Sequence, residues 1–197
     1  IIAAVEYCQG ISPMRPVIAV ALAFVCLPAL VRAADFTLTS SSFADGGTLS
    51  ERHVYSGFGC SGDNLSPALS WSGAPAGTKS FVVTAYDPDA PTGSGWWHWV
   101  LYDLPASTSS LPEGVGQKAG QALPEGAVEG VSDYGSAGFG GACPPQGDKP
   151  HRYVFTVHAL KVEKLEPPLA NASPALIGFL VHFNKLASAS VTATYGR

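Results

Sequence analysis

The chain has 197 residues, a formal net charge of −4 and 13% charged residues, about half the usual share. That length can bury one domain core of its own. No basic stripe is present, which argues against a nucleic-acid-binding surface, and 22 glycines with 16 prolines suit a turn-rich β protein better than a helical one.

In chain order, residues 1–13 read as sequence upstream of a start at Met14. Met14-Arg15 then leads into the apolar run PVIAVALAFVCLPALVRAA, with Val31 and Ala33 at the small-residue positions of a signal-peptidase site. Residues 14–33 are therefore expected to be a signal peptide cleaved after Ala33, and residues 34–197 to be an exported domain, periplasmic or secreted. The apolar run is short for a membrane span of about 20 residues, so a retained anchor is the weaker reading. Export removes Cys8 and Cys26 with the leader and leaves Cys60 and Cys143. Two cysteines in an oxidising compartment predict one disulfide, two buried thiols being the alternative.

FTLT (36–39) starts like a strand, FVVTAY (81–86) is strongly β-prone, and HWVLYD (98–103), YVFTVHAL (153–160) and VTATY (191–195) continue the pattern. SPALIGFLVHFNKLA (173–187) reads as the one clear helix, with Ser173 at the N-cap, Pro174 at the first helical position and an apolar stripe of Leu176, Phe179, Leu180 and Phe183. His182 beside that stripe reads as structural or solvent-facing. A shorter helix is expected near Glu51 or after Asn171. Residues 114–147 form a long Gly-rich stretch, and a loop of that length in a compact domain is usually functional or disordered.

The chemistry gathers in three places. GFGCSG (57–62) has GxGxxG spacing, but Pro67 and the absence of a helical period after it make it a Gly-rich turn rather than a dinucleotide site. DPDAP (87–91) follows an apolar strand directly; its prolines stiffen the loop, and a cis X-Pro bond would sharpen the corner. WWHW (96–99) holds three of the four tryptophans around His98. Strict strand alternation puts Trp97 with Trp99 on one face and Trp96 with His98 on the other. In CPPQGDKPHRY (143–153) a Pro-Pro segment leads into a strand with His151 and Tyr153 on one face and Arg152 on the other. Asp87, His98, His151 and Tyr153 then supply a carboxylate, two imidazoles and a phenol. Imidazolium and phenol groups are donors suited to an anion such as phosphate, and a carboxylate beside one histidine orients it and favours its charged form. Two histidines and one carboxylate are also a metal-ligand set. No HxH-type spacing accompanies them, so neither a metal nor a cofactor is assigned. No GxSxG or P-loop pattern is present, and no activated nucleophile stands out.

At these residues the chain resembles the phosphatidylethanolamine-binding protein family, and within it the bacterial Raf kinase inhibitor-like branch. The resemblance rests on DPDAP…WWHW (87–99), CPPQGDKPHRYVFTVHAL (143–160) and FGCSGDNLSPALSW (58–71), and extends over nearly all of the chain from Phe36 onward. It implies a mainly β fold: a large central antiparallel sheet packed on a smaller sheet, with a few peripheral helices including one near the C-terminus. It also implies a shallow pocket for phosphate-like or carboxylate anions, including phosphorylated head groups. By position, Asp87, His98, Pro145, His151 and Tyr153 are its ligand-binding residues, and Asp89 and Pro91 shape its first loop. Trp97 stands where eukaryotic relatives commonly carry a second histidine, and Cys143 where they usually have glycine; both alter the rim. The resulting expectation is a non-enzymatic binding protein for a small anion or phosphorylated head group, able to engage a protein partner or to form oligomers. An inhibitor of a kinase or protease acting through its surface, and a hydrolytic enzyme using His98 and His151 as acid and base, are the alternatives.

Overall fold

The computed structural model describes residues 35–117, 121–167 and 171–197. The expected leader and its cleavage site lie outside these residues. Eleven strands and one α-helix run in the order β1 (Thr37–Ser40), β2 (Gly47–Thr48), β3 (Ser56–Gly57), β4 (Cys60–Ser61), β5 (Leu69–Ser72), β6 (Ser80–Asp87), β7 (Trp96–Pro105), β8 (Ser110–Leu111), β9 (Val128–Glu129), β10 (His151–Leu160), α1 (Pro174–Asn184) and β11 (Lys185–Tyr195). A single 3-10 turn at Glu51–His53 is the short helix expected in that region.

The long β-prone runs make the large sheet, of order β2-β11-β10-β6-β7-β9. Its four long strands pair antiparallel, and the two-residue β2 adds a parallel edge to β11. β6 and β10 sit at the middle: β6 is buried on both faces, and β10 on the face of Tyr153, Phe155 and Val157. On one face Phe81, Val83, Trp99, Leu101, Phe155 and Val157 pack against Leu38, Leu69, Trp71 and Leu111 of the small β1-β5-β8 sheet. On the other, Val82, Val100 and Tyr102 meet Ile177 and Val181 of α1. The mainly β, two-sheet architecture with a C-terminal helix is thus the one expected. Among the described residues no helix is long and apolar enough to cross a membrane.

Two elements depart from expectation, α1 and β7. The helix expected over 173–187 ends at Asn184, and residues 185–187 open β11. α1 starts as predicted, Leu176 N–H donating to Ser173 Oγ at 3.3 Å with Pro174 in the first turn. Its buried side is Pro174, Ile177 and Val181, however, while Phe179 and Phe183 are 60% and 59% exposed. Two apolar stripes of this helix have the right period, and the one carrying Ile177 and Val181 packs on the sheet. His182 is exposed. The second change is in β7. Ala85 pairs with Trp99 and Tyr86 with Trp97, so His98 is an extra residue in the register. Such a bulge turns the next side chain to the opposite face. Trp99 consequently packs in the core between the sheets, while Trp97 packs on the helix-covered face, and the two tryptophans do not share a side as alternation predicted.

Candidate functional site

The bulge places His98 at the end of the large sheet, beside the end of β6 and the start of β10. There Asp87, His98, His151 and Tyr153 line one cavity of about 190 Å³ together with Phe58, Pro91, Trp96, Tyr134, Cys143, Pro144 and Pro145. The four expected polar residues are all 2–3% exposed. Pro91 and Pro145 belong to the wall, as expected. Trp97 does not: it lines a different cavity under α1, because the bulge reverses its side.

Asp87 organises the floor. Its Oδ1 accepts the Asp89 N–H at 2.8 Å, closing the turn of the DPDAP loop, and its Oδ2 accepts from His151 Nδ1 at 2.8 Å. His151 Nε2 faces Asp148 Oδ2 at 3.5 Å. All described peptide bonds are trans, so the corner at DPDAP is made without a cis proline. Asp89 does not line the cavity; it grips Arg152, accepting from its backbone N–H, Nε and Nη2 at 2.8–2.9 Å. That guanidinium holds the Asp89 carboxyl well below the usual range. The loop is thereby tied to β10 on the side away from His151 and Tyr153.

His98 is held by the Gly-rich stretch. Its Nδ1 lies 2.8 Å from Gly140 O and 3.1 Å from Gly141 O. A Cβ at Gly140 would collide with the Tyr134 ring, and one at Gly141 would lie 2.5 Å from His53 O. Only glycine lets this backbone approach closely enough to present both carbonyls. Burial lowers the pKa of His98, against the smaller opposing effects of the Gly140 hydrogen bond and the Asp87 charge. Burial likewise raises the Tyr153 and Tyr134 phenols. Tyr134 donates to Gly141 O at 2.9 Å, whereas Tyr153 Oη, His98 Nε2 and Trp96 Nε1 are buried without a partner.

The rim is covalently fastened. Cys60 of β4 and Cys143 form a disulfide with a Cα–Cα distance of 6.0 Å. Arg197 adds a second tie, donating to Pro144 O at 2.6 Å and Gly59 O at 2.9 Å. Between β3 and β4, Phe58 and Gly59 both have positive φ, 52° and 81°, the signature of a tight type I′ hairpin turn. A phenylalanine rarely adopts that backbone, yet here it stands 70% exposed at the cavity mouth. Phe58, Trp96 and Tyr134 were not foreseen as wall residues. The only sequence signal for Tyr134 was an isolated aromatic within the Gly-rich stretch. Among the described residues, no group of three or more His, Cys, Asp or Glu side chains could hold a metal ion.

The family model for phosphatidylethanolamine-binding protein matches residues 39–196. The chain belongs to the phosphatidylethanolamine-binding protein family. It is 54% identical over 179 residues to the UPF0098 protein YbcL of Escherichia coli K12, covering 91% of this chain and 96% of that protein. It is also 54% identical to YbhB of the same organism over 158 residues, covering 80% and 98%. The crystal structure of E. coli YbcL, described as a new member of the mammalian PEBP family, superposes with a TM-score of 0.79 at 55% identity, covering 83% of this chain and 99% of that one. A phosphatidylethanolamine-binding protein homologue from Chlamydia trachomatis superposes with a TM-score of 0.66 at 30% identity, covering 82% and 97%. In this family member, both signature segments meet at the cavity floor: one supplies Asp87 and His98, the other His151 and Tyr153.

Proposed function

We propose that the protein is a binding protein whose cavity takes a small phosphate-like anion or a phosphorylated head group. The observation that carries this reading is the trio of buried, unpartnered polar atoms, Trp96 Nε1, His98 Nε2 and Tyr153 Oη, on residues lining one cavity. An unmet buried polar group costs about 1–3 kcal/mol, so three around one hollow favour a polar ligand there. Next to them the Asp87 carboxylate fixes the His151 ring, accepting from its Nδ1 at 2.8 Å. Pro91, Pro144, Pro145 and Phe58 form an apolar collar that shields such contacts from water. Binding without catalysis fits this set, since no side chain at the cavity is placed as an activated nucleophile and Cys143 is engaged in the disulfide. Export is part of the same reading, supported by the leader pattern of residues 14–33 and by a disulfide suited to an oxidising compartment. Fractionation of the producing cells tests that part.

Calorimetric titration with inorganic phosphate and phosphoethanolamine tests the pocket. Saturable heat with either ligand is expected from the native domain. Silence with both at millimolar concentration contradicts the reading.

A further inference from the structure

The floor of the cavity has a definite hydrogen-bonding polarity. Gly140 O and Gly141 O, at 2.8 and 3.1 Å from His98 Nδ1, are carbonyl oxygens that only accept. Nδ1 therefore carries the hydrogen, and in a neutral imidazole Nε2 is left as an acceptor. Burial depresses the pKa of His98, in keeping with the neutral ring. The charged and titratable groups that face it are Asp87 at the end of β6, Asp133 and Tyr134 of the Gly-rich stretch, and Tyr153 and His151 of β10. The other two unpartnered buried atoms are donors: the indole N–H of Trp96 and the phenol O–H of Tyr153. The unpartnered buried atoms of the lining residues are thus two donors and one acceptor.

A fully deprotonated oxyanion matches only part of that pattern. Its oxygens accept from Trp96 and Tyr153, but against His98 Nε2 they set lone pair to lone pair. An oxyanion that retains one hydrogen matches all three. We infer that the cavity selects oxyanions bearing one acidic hydrogen, with the ligand P–OH donating to His98 Nε2 and its other oxygens accepting from Tyr153 and Trp96. This rests on the anion-pocket reading and narrows its ligand class. Inorganic phosphate keeps a hydrogen throughout the neutral range. A phosphomonoester keeps one only below its second ionisation, at about pH 6. Sulfate and phosphodiesters have none, so an intact diester lipid head group falls in the disfavoured class, and a free phosphate or monoester in the favoured one.

The experiment is calorimetric titration of the native domain at about pH 7.5 with inorganic phosphate, sulfate and dimethyl phosphate. Methyl phosphate is then titrated at about pH 7.5 and about pH 5, on either side of its second ionisation at about pH 6. Phosphate is expected to bind at least about tenfold more tightly than sulfate and dimethyl phosphate, the penalty of one unmet buried group. Methyl phosphate is expected to tighten as pH falls. His98→Gln, whose amide offers an N–H as well as an oxygen, is expected to bring sulfate to within about threefold of phosphate. Its folding is checked by thermal unfolding. Equal binding of sulfate and phosphate to the native domain overturns this inference and leaves the anion pocket standing. No binding of any of the four overturns both.

Discussion

The two faces of the large sheet each carry a cavity, and they differ in kind. The one under α1 is the larger, about 230 Å³ against about 190 Å³, and it too contains a histidine of β10. There, however, His158 Nδ1 meets Ser188 Oγ at 2.8 Å, and none of the buried partnerless atoms among the described residues belongs to the lining. At the DPDAP end, three such atoms remain. The strand that supplies both histidines alternates its side chains, so His151 falls on one face and His158 on the other. The two cavities thus differ in unmet hydrogen-bonding capacity, which neither volume nor the presence of a histidine reports.

The comparison can be broken by weakening one face at a time. The largest effect is expected from the double replacement Cys60→Ser/Cys143→Ser. It opens a loop with a sequence separation of 83 and costs about 4–5 kcal/mol in the chain-entropy account, read as a lowered urea midpoint. An unchanged midpoint would show that Arg197 and the glycine contacts hold the rim unaided. Asp87→Ala comes next. It removes the buried partner of His151 and the anchor of the Asp89 turn, at about 3 kcal/mol for a broken buried pair. Retained stability with lost phosphate binding would assign Asp87 to the ligand alone.

His158 gives a pH test of the opposite face. Burial foremost, then Lys185, pushes its pKa down from 6.5 to about 4. The unfolded chain therefore takes up the proton first, and the stability contributed by the neutral ring is full above pH 6.5 and lost as pH falls toward 4. The slope is about 1.4 kcal/mol per pH unit for one such group. His158→Gln is expected to flatten the urea-midpoint profile over that window without touching phosphate affinity; an unaltered profile would mean the ring titrates normally. The smallest effect is that of Arg152→Ala. It removes the exposed guanidinium partner of Asp89 and loosens the DPDAP loop, with an expected affinity loss of about threefold.

Much of this was legible in the residues. The β-branched and aromatic runs of β6, β7 and β10 announce strands, VTATY announces the end of β11 but not its first six residues, Ser173-Pro174 announces the start of α1, and Cys60 and Cys143, the two cysteines outside the expected leader, pair. Asp87, His98, His151 and Tyr153 were recognisable because polar groups at the ends of apolar strands need a reason to be there. The bulge was not legible. A period of two carries no mark of one inserted residue, so alternation puts Trp97 on the face of Trp99, and the resemblance alone puts it at the pocket rim. Nor was the outward turn of Phe179 and Phe183, since periodicity gives the stripe but not which of two stripes meets the sheet. Tyr134 and Phe58 come to the cavity through loop geometry, a glycine approach and a positive-φ turn, which depends on tertiary contacts no local pattern records.

The measurement that bears most directly on the central claim is a side-by-side phosphate titration of the native domain, His98→Ala and His158→Ala, each shown folded by its melting curve. The native protein and His158→Ala should bind alike, and His98→Ala should lose at least about tenfold in affinity, the worth of one buried hydrogen bond to an anion. Equal affinity in all three, or loss only in His158→Ala, would place the ligand elsewhere and contradict the account.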